Sequence, residues 1–312
     1  MLIQIDGWFG AGKSVLWMLL DGHPDVFCSP IHDYAYCAFL DQSDNLDWVK
    51  TKHIEILRKA LARTQYYKFE KVFRDGFMTF EFSTDDIMKI PYQVDYYKFD
   101  KLFIDKLLQK DSWTLSEITE TLYHSIWESH YRSSENLAEP KFFASMSNAL
   151  YIDKYHHFPV IFPGGKSIQV RRRVEKIIAT RSKRKPRPED FKTWTFFSDP
   201  LEKRIAEGEV EKILSFYDQY DELVSKYPDV FMVVDFLDLV NDTEKAIAKV
   251  TEFLNIPFHP NLKIASYSGK ELINNGKKYI GQENDNIDEL LTKQEQAIIH
   301  ERIEQYYSNK KQ

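Results

Sequence analysis

Long apolar runs are missing from this chain of 312 residues. No stretch approaches the roughly 18–20 residues that a membrane-crossing helix requires, so no membrane span is expected. Cysteine is nearly absent. Cys28 and Cys37 are too few for a disulfide framework and too sparse for a zinc site, so a reducing setting is expected and no bound metal. An excess of positive charge is lacking too: 42 Lys and Arg stand against 48 Asp and Glu, a net charge of −6 that argues against general nucleic-acid binding. A strand predicted from Leu2 leaves no room for a signal peptide, and the expected localisation is cytoplasmic. What is present is ordinary for a globular protein, 43% hydrophobic and 29% charged, with enough chain for a full core. Aromatic residues are plentiful at 15% and concentrate between Tyr66 and Phe143.

The chain has no repeats and no low-complexity segment. Residues 2–6 (LIQID) predict a short buried strand and 13–21 a helix ended by Gly22 and Pro24, with a second short strand at Val26–Ser29. Helices are predicted at about 45–63 and 114–132, the latter opened by the capping box Thr114-x-x-Glu117. "SIQVR" (167–171) predicts a strand leading into a helix over 173–182. A long helix follows at 208–226, then a buried strand at 230–236. Asn241-x-x-Glu244 is expected to cap a helix running to Leu254, and Thr292-x-x-Glu295 to open the last one. Strands separated by helices imply parallel βαβ units. The expected fold is a three-layer α/β/α domain with a central parallel sheet, residues 1–312, carrying a helical, aromatic-rich insertion at about 40–140.

Gly7-Trp-Phe-Gly-Ala-Gly12-Lys13-Ser14 satisfies G-x-x-x-x-G-K-[ST] between a predicted strand and a predicted helix. Glycines let the backbone turn tightly so that successive N–H groups face an anion; the helix start adds its positive end and lysine a point charge. Gly10, Ala11, Gly12, Lys13, Ser14 and Val15 are the residues expected to hold a phosphate, against the alternative of a chance match in a glycine-containing turn. Two chemistries use such a loop. A phosphoryl transferase adds Mg²⁺ on the serine hydroxyl and an acid at another strand end, for which Asp235 is available. A sulfuryl transferase holds a 5′-phosphosulfate in the same cradle and needs a second cationic pocket for the 3′-phosphate.

Ten Lys or Arg residues lie between Lys166 and Arg187. Such a run is usually a solvated face, but here Arg172 falls at a strand end and Thr180 eight residues later on the next helix. A guanidinium and a hydroxyl so placed can close on one phosphate from two sides.

With this stretch the chain resembles the sulfotransferases that use 3′-phosphoadenosine 5′-phosphosulfate (PAPS). Members show a Gly/Ser/Thr-rich loop, a Leu-rich helix and "HPDV", and this chain has "GAGKSVLWMLLDGHPDV". Their arginine and the serine eight residues on correspond to Arg172 and Thr180, and their strand, "Tyr-Glu-Asp-Leu"-like turn and helix ending "FLGI" to "MVVDFLDLVNDTEKAIAKVTEFLNIPF" (232–258). Residues 40–140 match nothing alignable. Two departures stand out: the loop's basic residue, two positions before Gly12 in the family, is Gly10 here, with Lys13 where nucleotide kinases keep their lysine; and Asp-Pro after the arginine is replaced by Arg173-Val174.

The resemblance implies PAPS as co-substrate, with no metal, and a hydroxyl-bearing acceptor, a carbohydrate or small metabolite. It also implies a carboxylate base shortly after "HPDV". There the chain has His32-Asp33; Asp33 matches by position, His32 has the better intrinsic pKa, and both stay open beside an ordinary loop dipeptide. His23 is expected to be structural. Gly276, Lys277 and Lys278 in "NNGKKYIG" are the counterparts of a basic C-terminal loop that covers the 3′-phosphate, unless they are plain surface residues. Trp113, Tyr123, Trp127 and Tyr131 fall at helical spacing and are expected in the core, while Tyr66, Tyr67, Tyr92, Tyr96 and Tyr97 are open to stacking on an acceptor. The alternatives to sulfuryl transfer are a Mg²⁺-dependent P-loop kinase using Lys13, Ser14 and Asp235, and a non-catalytic nucleotide- or polyanion-binding protein.

Overall fold

In chain order the strands that matter to the site are β1 (Leu2–Asp6), β2 (Val26–His32), short β3 (Asp47–Val49) and β4 (Ser112–Thr114), β5 (Phe142–Met146), β6 (Lys166–Arg171) and β7 (Phe231–Asp235). β3 and β4 pair antiparallel with each other. The other five make one wholly parallel sheet in the order β2-β5-β1-β6-β7. The computed structural model describes residues 1–32, 47–49, 95–130, 138–147, 152–182, 201–267, 269–274, 277–278 and 287–310. The helices used below are α1 (Lys13–Leu20), α2 (Tyr96–Leu107), α3 (Leu115–Ser129), α4 (Val174–Ser182), α5 (Glu209–Lys226), α6 (Phe236–Asn241), α7 (Thr243–Leu254) and α8 (Lys293–Lys310).

The two faces of the sheet differ in chemistry because side chains alternate along a strand. One face carries Ile3, Ile5, Ala144, Met146, Ile168 and Val170, all buried, and meets α1. The other carries Gln4, Asp6, Ser145, Ser167 and Gln169, also fully buried. Burying polar groups is costly unless they bond one another. Gln4 Nε2 donates to Ser147 Oγ at 2.7 Å and to the Tyr155 hydroxyl at 2.6 Å, and the Ser167 hydroxyl lies 2.9 Å from that of Tyr220 on α5. The Tyr155 hydroxyl donates to Asp6. A hydrogen-bonded layer thus runs beneath the strand ends that carry the phosphate loop.

β2 is an edge strand, and Pro30 is tolerated there because an edge position can forgo its ladder N–H. Its pairing with β5 jumps from Cys28 opposite Ala144 to His32 opposite Met146, a bulge that bends the strand end. The Trp17 indole of α1 holds the bulge through Nε1–H to Ser29 O at 3.1 Å.

The capping boxes at Thr114/Glu117 and Thr292/Glu295 form reciprocally as expected. Three expectations need correction. Residues 47–49, placed in a helix, are strand β3, since Asp47, Trp48 and Val49 pair with Thr114, Trp113 and Ser112; the rest of 45–63 lies outside the described residues. Asn241 does not cap α7: it ends α6, and Asp242 precedes Thr243 without a side-chain cap bond. β5, which separates β1 from β2, and α2 were not expected at all.

His23 fastens α1 to the chain after α7. Its Nε2–H donates to Pro257 O at 2.9 Å and its Nδ1 accepts from Asp25 N at 3.0 Å, which makes the ring neutral with its proton on Nε2. Asp21 adds a second tie, accepting from Ser266 Oγ and Gly269 N at 2.8 Å each. Burial holds the His23 imidazole below its ordinary pKa, against the raising effect of the Pro257 carbonyl and Asp25. A histidine held neutral in the fold contributes stability that is whole above its unfolded pKa of about 6.5 and is lost as pH falls toward the folded value. His23→Gln is expected to lower stability by about 1–3 kcal/mol at pH 8 and to flatten the fall in melting temperature below pH 6.5; thermal melts across pH 5–8 read both.

Candidate functional site

The loop after β1 is held in shape by close approaches that leave no room for side chains. A Cβ on Gly7 would lie 2.8 Å from Val170 O of β6. A Cβ on Gly12 would lie 2.2 Å from Cδ2 and 2.3 Å from Cε2 of Phe236, and Gly12 sits at φ +89°, where glycine is favoured. Inside the loop Ala11 N donates to Trp8 O and Val15 N to Gly12 O, each at 2.9 Å, and Gly7 N donates to Asp6 Oδ1 at 2.7 Å. α1 begins directly at Lys13 with Gly12 as N-cap and no side-chain cap bond, so its first-turn amides and dipole face the loop. Lys13 is 4% exposed; its Nζ donates to Gly7 O at 3.2 Å and stands 5.3 Å from the Phe9 ring centroid. The Ser14 hydroxyl lies 3.6 Å from Met146 Sδ of β5.

Arg172 follows β6 and turns its guanidinium back over this loop. Nη1 donates to Gly10 O at 3.3 Å and to Thr180 Oγ1 at 3.0 Å, and the guanidinium lies over the Phe236 ring, 4.6 Å from its centroid. The structure therefore brings Gly10, Arg172 and Thr180 into direct contact, and Phe236 packs against Gly12 and Arg172 together. Tyr217 of α5 fixes the backbone there: its hydroxyl donates to Arg172 O at 2.7 Å and accepts from Arg172 N at 3.2 Å. Burial pushes the Tyr217 phenol well above its ordinary pKa, so it stays neutral as this two-way bond requires. Arg171 points elsewhere, to Asp221 at 2.8 Å and Gln169 Oε1 at 2.9 Å.

Asp235 ends β7, and its Oδ1 accepts from Leu237 N at 2.7 Å, capping α6. Among the described residues no three His, Cys, Asp or Glu side chains gather as a metal site would need.

His32 closes β2 with its backbone opposite Met146, the residue whose sulfur touches Ser14, so the candidate base segment starts beside the loop. The His32 side chain and all of Asp33 lie outside the described residues, as do Gly276, the side chains of Lys277 and Lys278, and the basic residues 183–187. Lys277 and Lys278 form a two-residue strand paired with Asn274 and Ile273. Trp113, Tyr123 and Trp127 are buried core, as their spacing predicts. Tyr66, Tyr67, Tyr92 and Tyr131 lie outside the described residues, as do the side chains of Tyr96 and Tyr97.

Four contributors escaped sequence reasoning. Tyr155 and Tyr217 act from distant elements and left no local signal. Phe236 lies in the turn that the resemblance marks, and nothing in the sequence says what its ring meets. Asp6 was legible: Gln4 and Asp6 alternate with apolar residues in "LIQID", and Ser167, Gln169 and Arg171 repeat the pattern in "SIQVR", which marks one polar sheet face.

A family model described as the sulfotransferase family matches residues 11–260. No curated protein matches the sequence. Among solved structures, the chain is similar to the sulfotransferase domain from the curacin biosynthetic pathway, with 14% identity over 96% of each chain and a TM-score of 0.51. It is also similar to the sulfotransferase domain of the Synechococcus PCC 7002 olefin synthase, at 15% identity over 98% of this chain and 94% of that one, TM-score 0.49. The first of these shares the fold of a parallel sheet flanked by helices. With 250 consecutive residues, Ala11 to Pro260, inside the family match, and with Lys13, Arg172 and Thr180 all within it, this chain is a transferase belonging to the sulfotransferase family.

Proposed function

We propose that the chain transfers a sulfuryl group from PAPS to a hydroxyl group, on a carbohydrate or small-metabolite acceptor. The observation that carries this is the Arg172 guanidinium lodged between Gly10 O and Thr180 Oγ1, a second cationic site at the rim of the phosphate loop. A nucleotide with phosphates on both the 5′ and 3′ positions suits two adjacent cationic sites; a 5′-triphosphate does not need the second. Asp235 is occupied in capping α6, which disfavours its use as the metal-holding acid of a kinase.

In this reading the loop from Gly10 to Val15, at the positive end of α1, holds the 5′-phosphosulfate, and Arg172 with Thr180 holds the 3′-phosphate, joined by Gly276, Lys277 and Lys278. Asp33 or His32 takes the acceptor hydroxyl proton as its oxygen bonds to sulfur. The bond from sulfur to the 5′-phosphate oxygen breaks, and Lys13 balances the negative charge that collects there. We further propose that the chain acts as a single domain in the cytoplasm, with the segment at about 40–140 on the acceptor side.

Thermal stabilisation separates this from the alternatives. Adenosine 3′,5′-bisphosphate is expected to raise the melting temperature without Mg²⁺, by several degrees at 100 times its dissociation constant, since that is about 2.7 kcal/mol of linkage. Preference for ATP with Mg²⁺ would favour a kinase, and equal response to any polyanion a binding protein. Two variants test the site itself. Arg172→Ala is expected to remove the preference for the bisphosphate over adenosine 5′-monophosphate, costing about 2–4 kcal/mol as a charged bond to phosphate is lost. Gly12→Ala forces a methyl into the Phe236 ring, and is expected to abolish nucleotide stabilisation while lowering the melting temperature; an unchanged response to the bisphosphate would count against the loop as its site.

A further inference from the structure

Asp6 takes no part in the chemistry above, yet its carboxyl lies directly under the loop and is fully buried. Oδ1 accepts from Gly7 N at 2.7 Å and Oδ2 accepts from the Tyr155 hydroxyl. On the other side of the same residue, Lys13 Nζ donates to Gly7 O at 3.2 Å. Carboxyl and ammonium therefore flank one glycine, joined through its two backbone groups.

The groups that face Asp6 come from every element packed around it. Tyr155 reaches it from the helical turn at 152–157, Ser147 from the end of β5, and Lys13 from α1. Gln169 neighbours it across β6, and the Tyr220 hydroxyl of α5 feels its charge. Lys13 is the cation of this set. Arg171, two residues beyond Gln169, is engaged by Asp221 and by Gln169 itself. Burial pushes the Asp6 carboxyl above the usual carboxylate range, while Tyr155, Lys13 and the Gly7 amide pull it back.

Opposite charges buried together are tolerable as a pair and costly apart. A phosphate on the loop draws the Lys13 ammonium toward itself. The Asp6 carboxylate is then left under a second anion, without the cation that offset it. Two like charges close together in a poorly solvated site do not both stay ionised.

We propose that Asp6 is the internal counter-ion of Lys13, and that it takes up one proton from solvent when an anionic nucleotide engages the loop. The inference rests on the nucleotide reading given under the proposed function. It also accounts for a charged residue on a buried sheet face whose other members, Gln4, Ser145, Ser167 and Gln169, are neutral. Because binding favours the protonated carboxyl, affinity falls as pH rises, by up to about tenfold per unit for one proton, and levels off once the bound form also ionises.

Calorimetric titration with adenosine 3′,5′-bisphosphate between about pH 6 and 9, in two buffers of different ionisation enthalpy, gives both affinity and protons consumed. The ligand's phosphates, with second pKa values near 6, contribute equally to all variants. Asp6→Asn keeps an acceptor for Gly7 N and removes the titration. The expected result is that the wild type takes up more protons than the Asn variant, and that the variant binds several-fold more tightly at pH 8 with a flatter pH dependence. Equal proton counts would overturn the proposal, as would uniformly weaker binding by the variant, which would make Asp6 only a support for the loop backbone. Should Asp6→Asn not fold, a wild-type proton count no greater than the free ligand's own titration supplies has the same force. Failure of the wild type to bind the bisphosphate at any pH is a different outcome, one that removes the nucleotide reading itself.

Discussion

Gly12 and the Phe236 ring share a space that only one of them can fill, and the site is assembled around that contact. The ring comes from the turn after β7, the glycine from the loop after β1, and the guanidinium above the ring from the end of β6. Because β6 lies between β1 and β7 in the sheet, the parallel ladder sets the three strand ends side by side. The aromatic ring then decides how far the loop can move toward β7 and where Arg172 rests. A cation over an aromatic face gains about 0.5–2 kcal/mol; what matters more is that a planar guanidinium stacked on a buried ring has little freedom to look elsewhere. Tyr217 removes the remaining freedom by bonding both backbone groups of Arg172.

A second constraint explains why distant sequence landmarks occur together. "HPDV" and "FLNIPF" are separated by more than two hundred residues, but His23 of the first donates to Pro257 O of the second. Asp21, two residues earlier, receives Ser266 and Gly269. The rear end of α1 is thereby tied to the segment leading toward the C-terminal basic turn, while its front end forms the phosphate loop. Rigidity at the back serves chemistry at the front, since a helix whose dipole and first-turn amides must meet an anion cannot drift along its axis.

Local signals carried most of the architecture that could be read beforehand. β1, the loop and α1 were legible because strand, glycines and helix follow in register, and β6 with α4, α5, and β7 because each has the length and pattern of its type. β5 was not legible. "FFASM" is five residues with no clean alternation, too short to mark a strand by itself, and only its place between β1 and β2 makes it a central strand. α2 was hidden because its apolar stripe, Phe99, Phe103 and Leu107, is sparse within a charged segment; a buried stripe and the Asp95 cap bond to Lys98 N form it. At the site, Arg172 and Thr180 were found by their eight-residue spacing, which strand-to-helix geometry converts into a 3.0 Å contact. Tyr217 and Tyr155 could not be found, since nothing local to them says which distant backbone or carboxyl their hydroxyls will meet.

The polar face of the sheet is where stability and function pull in different directions. A parallel sheet covered on both faces is ordinarily apolar throughout, and an apolar layer in place of Gln4, Asp6, Ser167 and Tyr220 would avoid every desolvation cost. Instead the chain keeps a continuous hydrogen-bonded layer there, which loses about 1–3 kcal/mol for each partner removed. Ser145 Oγ and Gln169 Nε2 stand in that layer without a partner among the described residues, so it is not optimised for stability. Low dielectric beneath the loop lengthens the reach of every charge above it. Lys13 puts the loop's cation at the first residue of α1, beside the carbonyl of Gly7, whose amide on the other side is held by Asp6. The polar layer is what makes a buried lysine tolerable there: Gly7 O accepts from it, and the Asp6 carboxyl at the end of β1 offsets its charge.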